Sequence, residues 1–252
     1  MFVTSGEHRP AAPAEQIVTA TTARMVDTAQ AMAQLIHSDL PTQAAMLLRP
    51  LFEDMVVSHW LMDQTAPEFL VDRFLDQQDA IALHQHRLAR DTGWLVGTPL
   101  DIDMEAALYR ERELLKTFGR AVTHDWWAID AEGHRVGFRE VLQRLETSTH
   151  YATRFWSDGE PLLVRWYRIV QKVSDQHLHH TPVGLQVRLL RKEPPAPYVD
   201  RTLVFYVLFC AYWSLGQQIY LQLLIEGFDA AGFDPLFAEG LQTFGRYLPG
   251  SS

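Results

Sequence analysis

The sequence predicts an all-α fold: a single-domain helical bundle of six main helices plus short ones, with an apolar C-terminal helix at its centre. Three observations carry that expectation. Apolar residues recur at steps of three and four over nearly the whole chain. No run alternates apolar and polar residues over the length of a strand, and the Asp158–Gly159 pair stands before a helix instead of joining two apolar runs. One stretch, Leu203–Ile225 (LVFYVLFCAYWSLGQQIYLQLLI), is apolar on nearly every side. Only the middle of a bundle covers such a helix all round.

The elements follow in order. Residues 15–38 form a first helix with Ile17, Met25, Met32, Leu35 and Ile36 along one face, and Pro41 closes the connection. Residues 42–64 form a second, with Ala45, Leu48, Phe52, Met55, Val56 and Met62 as its stripe. Pro50 lacks an N–H and predicts a kink or a restart within it. Pro67 opens a third helix over 67–91, with Leu70, Phe74, Ile81 and Leu88 inward, and Gly93 and Gly97–Thr98–Pro99 break it. A fourth helix spans 101–119. The segment 123–134 (THDWWAIDAEGH) has no helical period and reads as a loop with two tryptophans, followed by a short fifth helix over 136–149. Ser157 with Glu160 three residues on, and Pro161, signal the start of a sixth helix that runs to about His179. Its stripe is Leu162, Trp166, Ile169, Val170, Val173 and His177. A short helix reaches Leu190. RKEPPAPY at 191–198 is a Pro-rich connector, the long apolar helix spans 200–226, Gly227 and Gly232 end it, and a short helix over 234–247 completes the chain. The helical domain is thus expected over 15–247, between a flexible tail at 1–14 and a short one at 248–252.

Composition narrows the function classes. The 252 residues include 22 Lys+Arg and 31 Asp+Glu, a formal charge of −9, which disfavours broad nucleic-acid binding. Cys210 is the single cysteine, so an intrachain disulfide framework and a cysteine zinc finger are excluded. The first residues lack the basic start and apolar run of a secretory signal. Gln217, Gln218 and Gln222 interrupt the apolar stretch, which favours a buried core helix over a membrane span. These readings point to a cytoplasmic protein with no membrane partner.

Phosphate-loop, dinucleotide, HExxH and GxSxG motifs are missing, and there is no Glu-x-x-His pair. Arg144 and His150, with LETST between them, match the Arg–His spacing of helical ribonucleases of the HEPN type. A chain this rich in both residues yields such pairs by chance. Of the 11 histidines, His84 and His86 are two apart and point to different sides of a helix. His177 and His180 share a face, but two ligands do not make a site. No metal and no cofactor is therefore expected. His177 continues an apolar stripe, so its imidazole needs a partner, and Ser174 is one turn earlier. Arg49 and Glu53, four apart, are placed to pair beside the apolar line of Val56 and Trp60. An ion pair at that boundary calls for further polar partners, and Ser174 and His177 fill that role if the second and sixth helices touch.

Two segments carry a family resemblance. AAMLLRPLFEDMVVSHWLM (residues 44–62) resembles the Arg-x-x-x-Glu helix of the DUF5677 family, a set of uncharacterised, mostly bacterial helical proteins. YRIVQKVSDQHLHHTPVGL (167–185) resembles that family's second signature, a Tyr followed by Ser-x-x-His at a helix end, and DWWAID (125–130) is similar to its Trp-containing loop. The resemblance covers roughly residues 25–225 and departs at Pro50 and at the extra histidines after His177. It implies a polar centre of Arg49, Glu53, Ser174 and His177, with Tyr167 and Trp126 as further ligand-binding residues.

Two functions follow. The first is a binding or interaction module, with a protein or small-molecule partner, in which a buried Arg–Glu–Ser–His cluster fixes helix register. The second is a hydrolase or ribonuclease in which His177 is general acid/base, Glu53 orients it, Arg49 holds an anionic group and Ser174 donates a hydrogen bond. A metal-dependent bundle using His177 and His180 is a third, weaker option.

Overall fold

The computed structural model describes residues 11–64, 67–77, 92, 109, 112–113, 126–128, 130, 132, 134–148, 162–178, 197–228 and 233–245. Among them there is no strand, and besides a helical run at 67–77 there are seven helices: α1 (Pro13–His37), α2 (Pro41–Met46), α3 (Leu48–Asp63), α4 (Phe138–Thr147), α5 (Leu162–Leu178), α6 (Pro197–Ile225) and α7 (Phe233–Gly245). The all-α class holds. Where the sequence suggested one domain over 15–247, the chain divides into two compact units, Met1–Asp63 with Arg139–Ser252, and Gln64–Phe138.

In the first unit, α1 starts at Pro13, two residues earlier than its periodicity suggested. Pro13 occupies the first turn, where no donor is needed, and the Glu15 carboxylate accepts the Ala12 N–H at 2.6 Å. Ala14, Val18, Met25 and Met32 are its buried line. Asp39, with φ 57°, turns the chain out of α1, and the Leu40 N–H closes the cap on the Leu35 carbonyl at 2.8 Å. The predicted second helix is two. It breaks at Leu47, and Pro50 falls in the first turn of the restarted α3, where its missing N–H disrupts no continuous ladder.

Helix α6 is the centre of this unit. It packs against α1, α2, α3 and α7, while α5 packs against α2 and α3. Its hydropathy and its 25-residue stretch Arg201–Ile225 are enough to cross a membrane by length and composition, and 44% of its most apolar window is buried inside the protein. It starts at Pro197, so the last residues of the Pro-rich connector belong to the helix. Rings from three helices stack through its middle. Tyr167 of α5 stacks on Phe52 of α3 (centroids 6.1 Å apart), Phe52 on Trp213 of α6 (6.3 Å), and Trp213 on Trp166 of α5 (5.2 Å). Each such contact adds about 1 kcal/mol beyond area burial.

Polar groups tie the helix ends. Glu146 of α4 accepts the Val164 N–H at 3.0 Å and so caps α5 from outside. The Ser157 and Glu160 of the predicted capping box lie outside the described residues. Ser148 Oγ donates to Asp63 Oδ1 at 2.5 Å, joining the ends of α4 and α3. Along α1 and α6, Gln218 Nε2 donates to Thr22 Oγ1 (2.9 Å) and Gln222 Nε2 to Thr19 Oγ1 (3.1 Å), so the two helices run antiparallel. The Gln218 carbonyl oxygen is fully buried and finds no donor among the described residues.

Helix α6 ends at Gly227, whose φ of 72° is the left-handed conformation glycine adopts without strain. Gly232 lies outside the described residues. Helix α7 then lies against α6 at two glycines. A Cβ on Gly216 would stand 2.1 Å from the Phe237 ring, and one on Gly240 would stand 1.9 Å from the Tyr212 hydroxyl. Tyr212, Phe237 and Phe233 stack in series at 5.4 and 5.7 Å.

The second unit is described in part. Residues 67–77 are helical, with Leu70, Val71, Arg73 and Gln77 buried. The tryptophan segment is irregular, as expected, and is pinned to this helix. The Trp126 N–H donates to Gln77 Oε1 at 3.1 Å, and its ring meets Phe74 edge-on at 5.1 Å. The Arg73 guanidinium stands over the Phe69 ring, and burial pulls its pKa down to about 10. The predicted continuation of the third helix beyond 77, the fourth helix apart from three helical residues, the short helix before Leu190 and His84, His86 and His150 all lie outside the described residues.

Three stability outcomes follow. Gly216→Ala is expected to cost about 1–3 kcal/mol through overpacking, and less in a Phe237→Ala background, as measured by a denaturant double-mutant cycle. Gln218→Met removes a hydrogen bond and an unpaired carbonyl together, so its net change stays below about 1 kcal/mol. Thr22→Val strands the whole amide and costs about 1–3 kcal/mol.

Candidate functional site

The restart of α3 at Leu48 sets Arg49 in its first turn and Glu53 one turn later, on the side facing α5. Arg49 Nε donates to Glu53 Oε1 at 2.8 Å, and Nη1 lies 3.5 Å from Asp175 Oδ1 of α5. The predicted contact between the second and sixth helices is therefore present, since α5 packs on both α2 and α3. The three side chains are 38, 34 and 30% exposed, so the cluster is a half-open seam and not a buried centre.

Glu53 raises the Arg49 pKa by accepting its hydrogen bond, against the opposing effect of burial, and Asp175 adds to the rise. Tyr167 lies in the same electrostatic neighbourhood. Burial pushes its phenol up, Arg49 opposes, and Glu53 and Asp175 add to the rise. The far side of the Tyr167 ring is its stack on Phe52.

Ser174 is fully buried. Its Oγ lies 3.5 Å from the Met46 carbonyl, at the long limit of a hydrogen bond. That carbonyl is the one an ordinary residue at position 50 would serve with its N–H, four residues on in a continuous helix. Pro50 has none, and the hydroxyl of α5 stands in its place. The buried line of α5 is Leu163, Val170 and Ser174; of the predicted stripe Val170 is buried, while Trp166, Ile169 and Val173 are only half-buried. His177 sits three residues beyond Ser174 in α5, and its side chain lies outside the described residues, as do His179 and His180. Trp126 belongs to the second unit and is engaged there by Gln77 and Phe74.

Three features were not foreseen from sequence. Asp175 supplies the second carboxylate to Arg49; the boundary position of Arg49 demanded one more acceptor, but Ser174 and His177 drew the assignment. Arg24 of α1 pairs with Asp54 of α3 across the α1–α3 seam. Burial lifts the Asp54 carboxyl to about 6, with Arg24 opposing and the neighbouring Glu53 adding to the rise. In the second unit, Asp130, Glu132 and His134 bring one ligand atom each within 4.8 Å of one another, a set able to hold a metal ion, with Asp130 buried and the other two exposed. The alternating Asp-x-Glu-x-His spacing was its signal. The Asp130 carboxylate already accepts the His134 N–H at 2.8 Å.

Chemically, one guanidinium between two carboxylates leaves a net charge of −1 on the Arg49 seam, which opposes capture of a phosphate. The Cys210 thiol is buried and pushed up to about 12, far from a reactive thiolate.

The Asp54 shift has a sign that can be measured. Its ordinary value of 3.8 rises to about 6 in the fold, so the folded chain holds this proton more tightly than the unfolded chain. The stability it contributes is complete below about pH 4 and is lost as pH rises through 6, by at most about 3 kcal/mol. Asp54→Asn is expected to flatten that part of the pH–stability curve in urea titrations between pH 4 and 8. Glu146→Ala, which removes the cap from α5, is expected to cost about 1 kcal/mol in the same titration at pH 7. No family model, curated protein or solved structure matches the chain.

Proposed function

We propose that the protein is a binding or interaction module, bacterial and cytoplasmic, in which the Arg49–Glu53–Asp175 cluster fixes the register of α3 against α5 and the partner is a protein or a small molecule. The observation that carries this reading is the state of Arg49. Its guanidinium is shared between Glu53 and Asp175, so the cation that a ribonuclease reading needs for a phosphate is already neutralised by two carboxylates. The formal charge of −9 supports the same choice against a nucleic-acid substrate. The reading keeps the resemblance to the DUF5677 family, whose two signatures correspond here to Arg49 and Glu53 on α3 and to Tyr167, Ser174 and His177 on α5.

The test compares Arg49→Ala, Asp175→Asn and His177→Ala in the full chain, by thermal melting and by RNA cleavage. A register clamp predicts that Arg49→Ala lowers stability by about 1 kcal/mol, the scale of a half-exposed ion-pair network, with a smaller loss for Asp175→Asn. It also predicts no RNA cleavage by the parent chain or by any variant. Cleavage by the parent that His177→Ala abolishes without shifting the melt would overturn the clamp reading in favour of a catalytic histidine.

A further inference from the structure

We draw no further inference here: the strongest candidate, the Asp130–Glu132–His134 cluster in the loop that precedes α4, has two exposed members and a buried carboxylate already hydrogen-bonded within the cluster, and no second observation points to a ligand there.

Discussion

Helix α6 has almost no polar side to turn towards water, and that constraint organises the first unit. A helix with one apolar stripe is satisfied by one neighbour; α6 takes α1, α2, α3 and α7, and stacks Trp213 on Trp166 of α5. Three of them arrive by different means. Helix α1 meets it through a ladder of threonines and glutamines, α3 through stacked rings, and α7 through a close approach at two glycines. The glutamines that interrupt the apolar run are therefore the side chains that set the register of α1 along it. Apolar packing tolerates sliding more readily than a pair of hydrogen bonds one turn apart does.

Helices α4 and α5 are tied at their ends as well as along their faces. Helix α4 is amphipathic, with Val141, Leu142 and Leu145 fully covered. It also delivers Glu146 to the start of α5 and Ser148 to the end of α3. Arg144, which the sequence offered as half of a ribonuclease pair, lies over the Trp60 ring and pairs with Glu140. A carboxylate at the first turn of a neighbouring helix satisfies donors that the helix itself cannot serve. The short helix thereby orients the long one.

Much of the fold was legible because helical periodicity is a local signal. The interruption at Pro50, the glycine end of α6 and the irregular tryptophan segment all follow from residues whose backbone limits are fixed by their own chemistry. Details that depend on a distant partner were less legible. The inward line of α5 includes Ser174, whose hydroxyl lies 3.5 Å from the Met46 carbonyl, and an apolarity count sees only a polar residue beside an apolar stripe. Asp175 escaped notice for the opposite reason: a carboxylate next to a buried serine reads as solvent-facing until the guanidinium of α3 is placed opposite it. The pairing of Arg49 with Glu53 needed only their spacing on one helix, so it was readable from the sequence.

The exchange at Met46 has a consequence for how this chain can change over time. The Ser174 hydroxyl lies 3.5 Å from the Met46 carbonyl, beside a proline that has no N–H to offer there, so positions 50 and 174 are linked through one acceptor. An ordinary residue at 50 would bring an N–H of its own to this junction of α2 and α3, and the serine would then have a competitor for the acceptor. With proline retained, replacing the serine takes that donor away, so the effect of a change at 174 depends on the residue at 50.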